Sequence, residues 1–152
     1  MILDLPEPNH TRMNAYRYAR LQSELRRADC AAAVLCNAVN VRYATGTGYA
    51  QAVNMHSPFR AVFVPAEGKA IMYDPEMYSF GEKPEIVAEY RGSHGSPYFV
   101  AGEANASFIQ KWAAELAGSI TGLDVGTTRV AIDLSEPLLA LALSERGIDV
   151  IN

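Results

Sequence analysis

Features that would assign a function directly are scarce in this sequence. Its 152 residues include 2 cysteines and 3 histidines, and the histidines, at His10, His56 and His94, lie far apart. No HxH, HExxH or CxxC pattern accompanies them, which argues against a metal site within the chain. No apolar run approaches the ~20 residues that span a bilayer, and the amino terminus lacks the basic stretch and apolar core of a signal peptide. The sequence therefore predicts no metal ligands and no membrane partner.

An excess of positive charge is also lacking, and this excludes another class of partner. Lysine and arginine total 13 against 17 aspartates and glutamates, so the net charge is −4 and the isoelectric point is about 5.3. Such a balance does not favour binding to nucleic acid. Hydrophobic residues make up 49% and charged residues 20% of the chain, which is typical of a soluble globular protein. We expect one soluble domain with no nucleic-acid partner.

The two cysteines indicate a reducing compartment. Cys30 and Cys36 flank the apolar run from Ala31 to Leu35. In a strand they would point to the same face and would lie too far apart for a disulfide. We therefore interpret them as reduced core thiols and predict a cytoplasmic protein.

Helical and strand patterns alternate along the chain. Residues from about Asn9 or Thr11 to Asp29 predict an amphipathic helix, and the continuous apolar run that ends at Cys36 predicts a strand covered on both faces. Beyond a short helical turn within 37–45, the predicted elements are a β-hairpin with strands at 59–65 and 70–73, a strand at 86–90, a loop at 91–97, a helix at 104–119, a strand at 129–133, a helix from 135 to 147 and a strand at 148–151.

This order of elements predicts a single α/β domain over residues 1–152. Strands that alternate with helices favour parallel pairing in the second half, whereas the hairpin requires an antiparallel strand. We expect a three-layer α/β/α sandwich with a mixed sheet of five or six strands.

Polar residues concentrate in the stretch from Asn40 to Arg60, between two apolar runs. Gly46, Gly48 and Pro58 interrupt regular structure within this stretch. A polar loop held between buried elements is a common place for a binding site, and arginines beside a histidine could hold a carboxylate. An ordinary connection with individually solvated side chains is the alternative. The polar side chains concerned are Asn40, Arg42, Asn54, His56 and Arg60.

Three other motifs are better explained as ordinary structure. The run Gly92–Ser96 places serines beside a histidine but is not the GxSxG motif of hydrolases. The run Thr45–Gly48 contains only a lone GxG, which is weak evidence for a nucleotide site. Asp124 and Asp133 are expected in a turn and at a strand end, so we predict no dinuclear metal site from them.

Several segments together resemble a known family. They are the helix around Leu21 and Leu25, the strand Ala33–Leu35, the motif Asn-Val-Arg-Tyr-Ala-Thr-Gly at 40–46, and the hairpin from Phe63 to Met72. In this order they resemble the N-terminal domain of the creatinase/prolidase family. These pita-bread metalloenzymes include Xaa-Pro dipeptidase, aminopeptidase P and creatine amidinohydrolase. The resemblance implies a ribonuclease-H-like α/β/α fold, which agrees with the order of elements.

The resemblance also implies that the catalytic site belongs to a different domain of the protein. In this family the ligands of two divalent metal ions (Mn, Zn, Co or Fe) belong to a C-terminal catalytic domain, which nothing in these residues resembles. The chain is then expected to be an N-terminal domain that is inactive alone. Its implied partners are its own catalytic domain, a second subunit in a homodimer, and a small-molecule or dipeptide substrate.

By position, the loop from Thr47 to Arg60 is the segment that reaches the partner subunit's active site in this family. His56 and Arg60 are the candidates for substrate contact, with Asn54 and Tyr49 behind them. Arg42 and Tyr43 are expected to support the base of the loop.

The family resemblance leaves the reaction open. Most members cleave Xaa-Pro peptides, and this activity is the first expectation. Others hydrolyse creatine or eliminate from a sulfonium carboxylate. The residues of the 47–60 loop differ from those of the creatine enzyme, whereas Asn54–Arg60 has some likeness to the loop of the sulfonium lyases. A stand-alone module that binds small carboxylates is a further alternative.

Overall fold

A mixed sheet forms the centre of the fold. The computed structural model describes residues 7–47, 60–74, 83–92, 98–133 and 137–152. Within them the sheet has six strands in the order β4-β3-β2-β1-β5-β6. The strands are β1 (Ala32–Leu35), β2 (Ala61–Pro65), β3 (Ala70–Tyr73), β4 (Val87–Arg91), β5 (Arg129–Ile132) and β6 (Asp149–Ile151).

The direction of the strands follows from their connections. β2 pairs antiparallel with β1 and with β3, and the tight turn at Ala66–Lys69 closes the predicted hairpin. The pairs β1–β5, β5–β6 and β3–β4 are parallel. Helices lie between β4 and β5 and between β5 and β6 in the sequence, as parallel crossovers require. The mixed sheet predicted from the element order is therefore confirmed.

Helices cover both faces of this sheet. They are α1 (His10–Arg27), α2 (Ala38–Thr45), α3 (Tyr98–Ala101), α4 (Asn105–Thr121) and α5 (Pro137–Ser144), with a 3₁₀ turn at Gly102–Ala104 between α3 and α4. Because side chains alternate along a strand, Val34 lies in the core beneath α4 and α5, while Ala33 lies in the core beneath α1 and α2. The three-layer α/β/α prediction is confirmed.

Helix α2 is defined by its caps. The side chain of Asn37 accepts a hydrogen bond of 2.9 Å from the backbone N–H of Val39 at the start of the helix. Gly46 ends the helix with a left-handed φ of 73° and donates its N–H to the carbonyl of Arg42. A β-carbon at Gly46 would overlap the side-chain amide of Asn14 from α1. Glycine is therefore favoured at position 46 by its left-handed backbone, and any larger residue would also require the side chain of Asn14 to move.

Three predictions about local structure were wrong. Cys30 and Cys36 are both buried free thiols, but they lie in opposite cores because β1 spans only Ala32–Leu35 and neither cysteine belongs to it. Arg91 belongs to β4 rather than to a loop. Its guanidinium binds Glu115 of α4 at 2.9 Å, which explains the one charged residue on the apolar face of that helix. Helical structure also begins at Tyr98, before the predicted start.

Among the described residues, no helix is both long and apolar enough to cross a membrane.

The packing of α5 can be tested with two leucines of the same helix. Leu143 is fully buried, whereas Leu141 is 56% exposed. We expect Leu143→Ala to lower the free energy of unfolding by about 2–5 kcal/mol because it leaves a cavity. Leu141→Ala should change it by less than about 0.5 kcal/mol. Urea unfolding followed by circular dichroism measures both values. Equal losses would mean that α5 does not pack through Leu143.

The preference for glycine at position 46 can be tested against a second glycine. We expect Gly46→Ala to destabilise the fold by about 1–3 kcal/mol because alanine is strained at positive φ. Removing the overlap in Gly46→Ala/Asn14→Ala should recover part of this loss. Gly118 lies within α4 with no atom near an added β-carbon, so Gly118→Ala should stabilise by about 0.5–1 kcal/mol. A stable Gly46→Ala variant in the same unfolding assay would rule out the strained cap.

Candidate functional site

The candidate loop connects α2 to β2. Tyr49, Asn54 and His56 lie outside the described residues, so their predicted contacts with substrate stay predictions. The structure describes both flanking residues, Thr47 and Arg60. It also describes Arg42 and Tyr43, which were expected to support the base of the loop.

Arg42 and Tyr43 lie on the last turns of α2. Arg42 is exposed, and Tyr43 is partly exposed beneath the guanidinium of Arg17 from α1, whose central carbon lies 5.5 Å from the centre of the ring. Both residues line a cleft of about 380 Å³ between α1 and α2, together with Asn14 and Gly46. This arrangement places them beside the start of the loop. Their supporting role stays a prediction.

Arg60 forms an ion pair with Asp74. Arg60 directly precedes β2 and Asp74 directly follows β3. Because Ala61 pairs with Tyr73 in antiparallel register, Arg60 and Asp74 face each other one position further along the two strands. Nη2 of Arg60 lies 2.5 Å from Oδ2 of Asp74, and the side chains are only 11% and 1% exposed. The predicted substrate ligand is thus also a member of a buried ion pair.

A chain of hydroxyl groups connects this ion pair to the end of α2. Nη1 of Arg60 donates to Oγ1 of Thr47 at 3.3 Å. The hydroxyls of Thr47 and Thr45 lie 2.7 Å apart, and Thr45 donates to the carbonyl of Val41 within α2. The backbone N–H of Thr47 donates to Oγ1 of Thr45 at 3.1 Å. The two ends of the candidate loop are therefore joined by side-chain hydrogen bonds.

Tyr90 and Lys83 lie near the ion pair on the β4 side. Tyr90 is partly buried opposite Met72 of β3. Burial raises the pKa of its hydroxyl, while the charge of Arg60 lowers it and that of Asp74 raises it. The ammonium of Lys83 lies 4.9 Å from the centre of the Tyr90 ring. Tyr90 thus lies beside the buried ion pair, and exposed Lys83 covers its ring from the solvent side.

Asp133, one of the aspartates weighed as a metal ligand, instead fixes the start of α2. Its carboxylate follows β5 and accepts from the backbone N–H groups of Cys36 and Asn37 at 2.7 and 3.1 Å, and from the side-chain amide of Asn40 at 2.9 Å. These bonds tie the loop that enters α2 to the neighbouring parallel strand. They provide a structural role for this aspartate.

The described residues provide no ligand set for a metal ion. Nowhere among them do three or more histidine, cysteine, aspartate or glutamate side chains come together in a way that could hold one. Burial raises the pKa of the Cys36 thiol, and the charge of Asp133 raises it further. A neutral thiol is a poor nucleophile and a poor metal ligand. The metal ions implied by the family do not fit these residues.

Two residues that contact the ends of the candidate loop were not predicted from the sequence. Asp74 was assigned to an irregular segment, although the register of the hairpin places position 74 opposite position 60. Asn14 was assigned only to a helix, and its contact with Gly46 has no signal in the local sequence.

Comparison with known proteins gives matches over nearly the whole chain. Residues 17–146 match the profile described as Creatinase/Prolidase N-terminal domain. The dimethylsulfoniopropionate lyase DddP of Roseobacter denitrificans is 28% identical over 151 residues, covering 99% of this chain and 33% of that protein. The DddP of Roseovarius nubinhibens is 27% identical over 149 residues, covering 95% and 33%. The chain thus spans about a third of the length of these relatives.

A solved structure agrees with the fold. An Xaa-Pro aminopeptidase from Streptococcus pyogenes superposes with a TM-score of 0.59 at 12% identity, covering 93% of this chain and 92% of that one. At this identity the likeness shows the fold alone. Because the family profile matches most of the sequence, the chain belongs to the creatinase/prolidase N-terminal domain family.

Proposed function

We propose that this chain is the non-catalytic N-terminal domain of a larger metal-dependent enzyme. The observation that carries the proposal is the match over 99% of the chain to a lyase three times as long. The described residues also offer no metal ligand set, so the two divalent ions (Mn, Zn, Co or Fe) would be bound by the rest of the parent enzyme. The domain alone would be inactive.

Elimination from a sulfonium carboxylate is the reaction that we favour for the parent enzyme. The two relatives with sequence similarity across the domain are both dimethylsulfoniopropionate lyases. Sequence similarity reports on side chains across the domain, whereas a likeness of fold reports on the backbone alone. A substrate of this class carries a carboxylate, which arginine and histidine are suited to bind.

Hydrolysis of Xaa-Pro peptides is the second candidate. The aminopeptidase from Streptococcus pyogenes shares the fold over nearly all of both chains. Because the identity is only 12%, this structural likeness supports the shared fold more than it supports a shared reaction. A dipeptide also carries a carboxylate, so the same loop residues could serve either substrate.

In either reaction, the loop from Thr47 to Arg60 would contact substrate bound by the catalytic domain. His56 is the principal candidate for this contact, together with Arg60, Asn54 and Tyr49, while Arg42 and Tyr43 support the base of the loop. We further propose that the parent enzyme is a cytoplasmic homodimer in which the loop serves the partner subunit's active site.

An assay of the metal-loaded parent enzyme can decide between the reactions. We expect release of dimethyl sulfide from dimethylsulfoniopropionate at a rate well above that of Xaa-Pro dipeptide hydrolysis. The reverse order would favour the peptidase. Activity of the 152-residue chain alone on either substrate would contradict the accessory role.

The role of the loop can be tested with His56→Ala in the parent enzyme. We expect kcat/KM to fall about 10- to 100-fold, as for the loss of a hydrogen bond to a charged group. Metal content should stay unchanged because the ligands lie elsewhere. Gln110→Ala, at an exposed position of α4 on the opposite face of the sheet from α2, is the control and should keep full activity. Loss of metal in His56→Ala would mean that the loop is assigned wrongly.

A further inference from the structure

The cleft between α1 and α2 carries positive charge in a protein that is acidic as a whole. The chain has a net charge of −4, yet the described residues that line this cleft include no aspartate or glutamate. They do include three basic side chains, which are His10 and Arg17 of α1 and Arg42 of α2. A local excess of one charge within a concave surface favours a ligand of the opposite charge.

Helical spacing and close packing bring these side chains into one cleft. His10, Asn14 and Arg17 follow the i, i+4, i+7 spacing that places residues on one face of a helix. Arg42 lies one turn before Gly46 at the end of α2. Asn14 approaches this end closely, because its amide occupies the space that a β-carbon at Gly46 would need. The cleft is therefore built by two helices of the same domain.

The guanidinium of Arg17 is held in place without losing its charge. Arg17 is half-buried, and its central carbon lies 5.5 Å from the centre of the Tyr43 ring. The face of an aromatic ring attracts a cation, but the ring has no net charge that would neutralise it. Arg17 therefore keeps a full positive charge in a restrained position, which reduces the conformational entropy lost when the side chain binds an anion.

Arg17 and Arg42 differ from the arginines that form ion pairs within the fold. Those pairs join Arg27 to Glu24, Arg60 to Asp74, Arg91 to Glu89 and Glu115, and Arg129 to Asp149. Neither Arg17 nor Arg42 lies at ion-pair distance from a carboxylate of the described residues. A guanidinium binds a carboxylate through two parallel hydrogen bonds, so the cleft offers two such binding groups.

The size and the apolar wall of the cleft indicate an organic ligand. Its volume is about 380 Å³, and Met13 and Val39 line it beside the arginines, as in small-molecule sites that combine apolar walls with a few polar groups. We propose that this cleft binds a small organic dicarboxylate, with one carboxylate on Arg17, the other on Arg42 and the carbon chain against the apolar wall. This site is additional to the substrate contact proposed for the loop from Thr47 to Arg60 and does not depend on it.

Nuclear magnetic resonance of the isotope-labelled 152-residue chain tests the site with succinate as the probe. We expect saturable shifts of the backbone amides around Arg17 and Arg42, with a Kd of about 1 mM for a ligand of this size, and no shifts in α4. Butyrate, which has the same number of carbons and one carboxylate, should bind at least tenfold more weakly. No saturable shift at ten times the expected Kd would overturn the proposal, and so would butyrate or inorganic phosphate binding as tightly as succinate.

An acidic segment of another protein would offer the same carboxylate chemistry as a free dicarboxylate. A short peptide with two adjacent glutamates, titrated in the same way, distinguishes the two sources. We expect the peptide to bind more weakly than succinate, because its backbone does not fit within a cleft of this volume. Tighter binding of the peptide would overturn the assignment of a small molecule.

Single substitutions separate a built site from a general attraction of anions. Arg17→Gln and Arg42→Gln should each raise the Kd for succinate at least tenfold, because each removes one pair of charge-assisted hydrogen bonds. Arg12→Gln is the matched control, since it removes the same charge from an exposed position of α1 outside the cleft, and it should change the Kd less than twofold. Arg42 is exposed, so its variant should keep the melting temperature even if Arg17→Gln lowers it. An equal rise of the Kd in Arg12→Gln and Arg42→Gln, or an unchanged Kd in Arg42→Gln, would overturn the proposal.

Discussion

Burial of β1 on both faces is the constraint on which the other elements depend. Ala32, Ala33 and Val34 are almost completely excluded from solvent, and such a strand is stable only when apolar layers cover both of its sides. Helices α1 and α2 cover one side, and α4 and α5 cover the other. Strands β2 and β5 then satisfy the hydrogen bonds of β1 at its two edges. Short side chains in β1 leave room for large ones from the helices.

The candidate site depends on this sheet for its precision. The pairing of the strands fixes the positions of polar residues at the strand ends, whereas residues on a loop are held less precisely. Arg60 and Asp74 are such end residues, and so is Asp133 at the end of β5. The sheet therefore fixes the residues that flank the candidate loop. Proteins similar to this domain include both lyases and a peptidase, as expected where one fold hosts several functions.

Sequence patterns that each span only a few residues were sufficient to predict most of the fold. The apolar run of β1 and the hairpin have strong local signals, and Gly46 ends α2 in the left-handed conformation that favours glycine. The ion pair of Arg60 with Asp74 and the contact of Asn14 with Gly46 were not predicted, because they depend on strand register and on helix packing. Asn54 and His56 were singled out by the polar composition of their stretch, whereas Tyr49 was singled out only by the resemblance to a family, and no local pattern reveals the chemistry of any of the three.

The bonds from Asp133 to the start of α2 impose an order on folding. They join residues separated by 93 to 97 positions in the chain, so they form only after β5 has docked beside β1. During synthesis, the residues at the start of α2 can form these hydrogen bonds only after β5 and Asp133 have emerged from the ribosome. The start of the helix that leads into the candidate loop therefore reaches its final geometry only after β5 has docked.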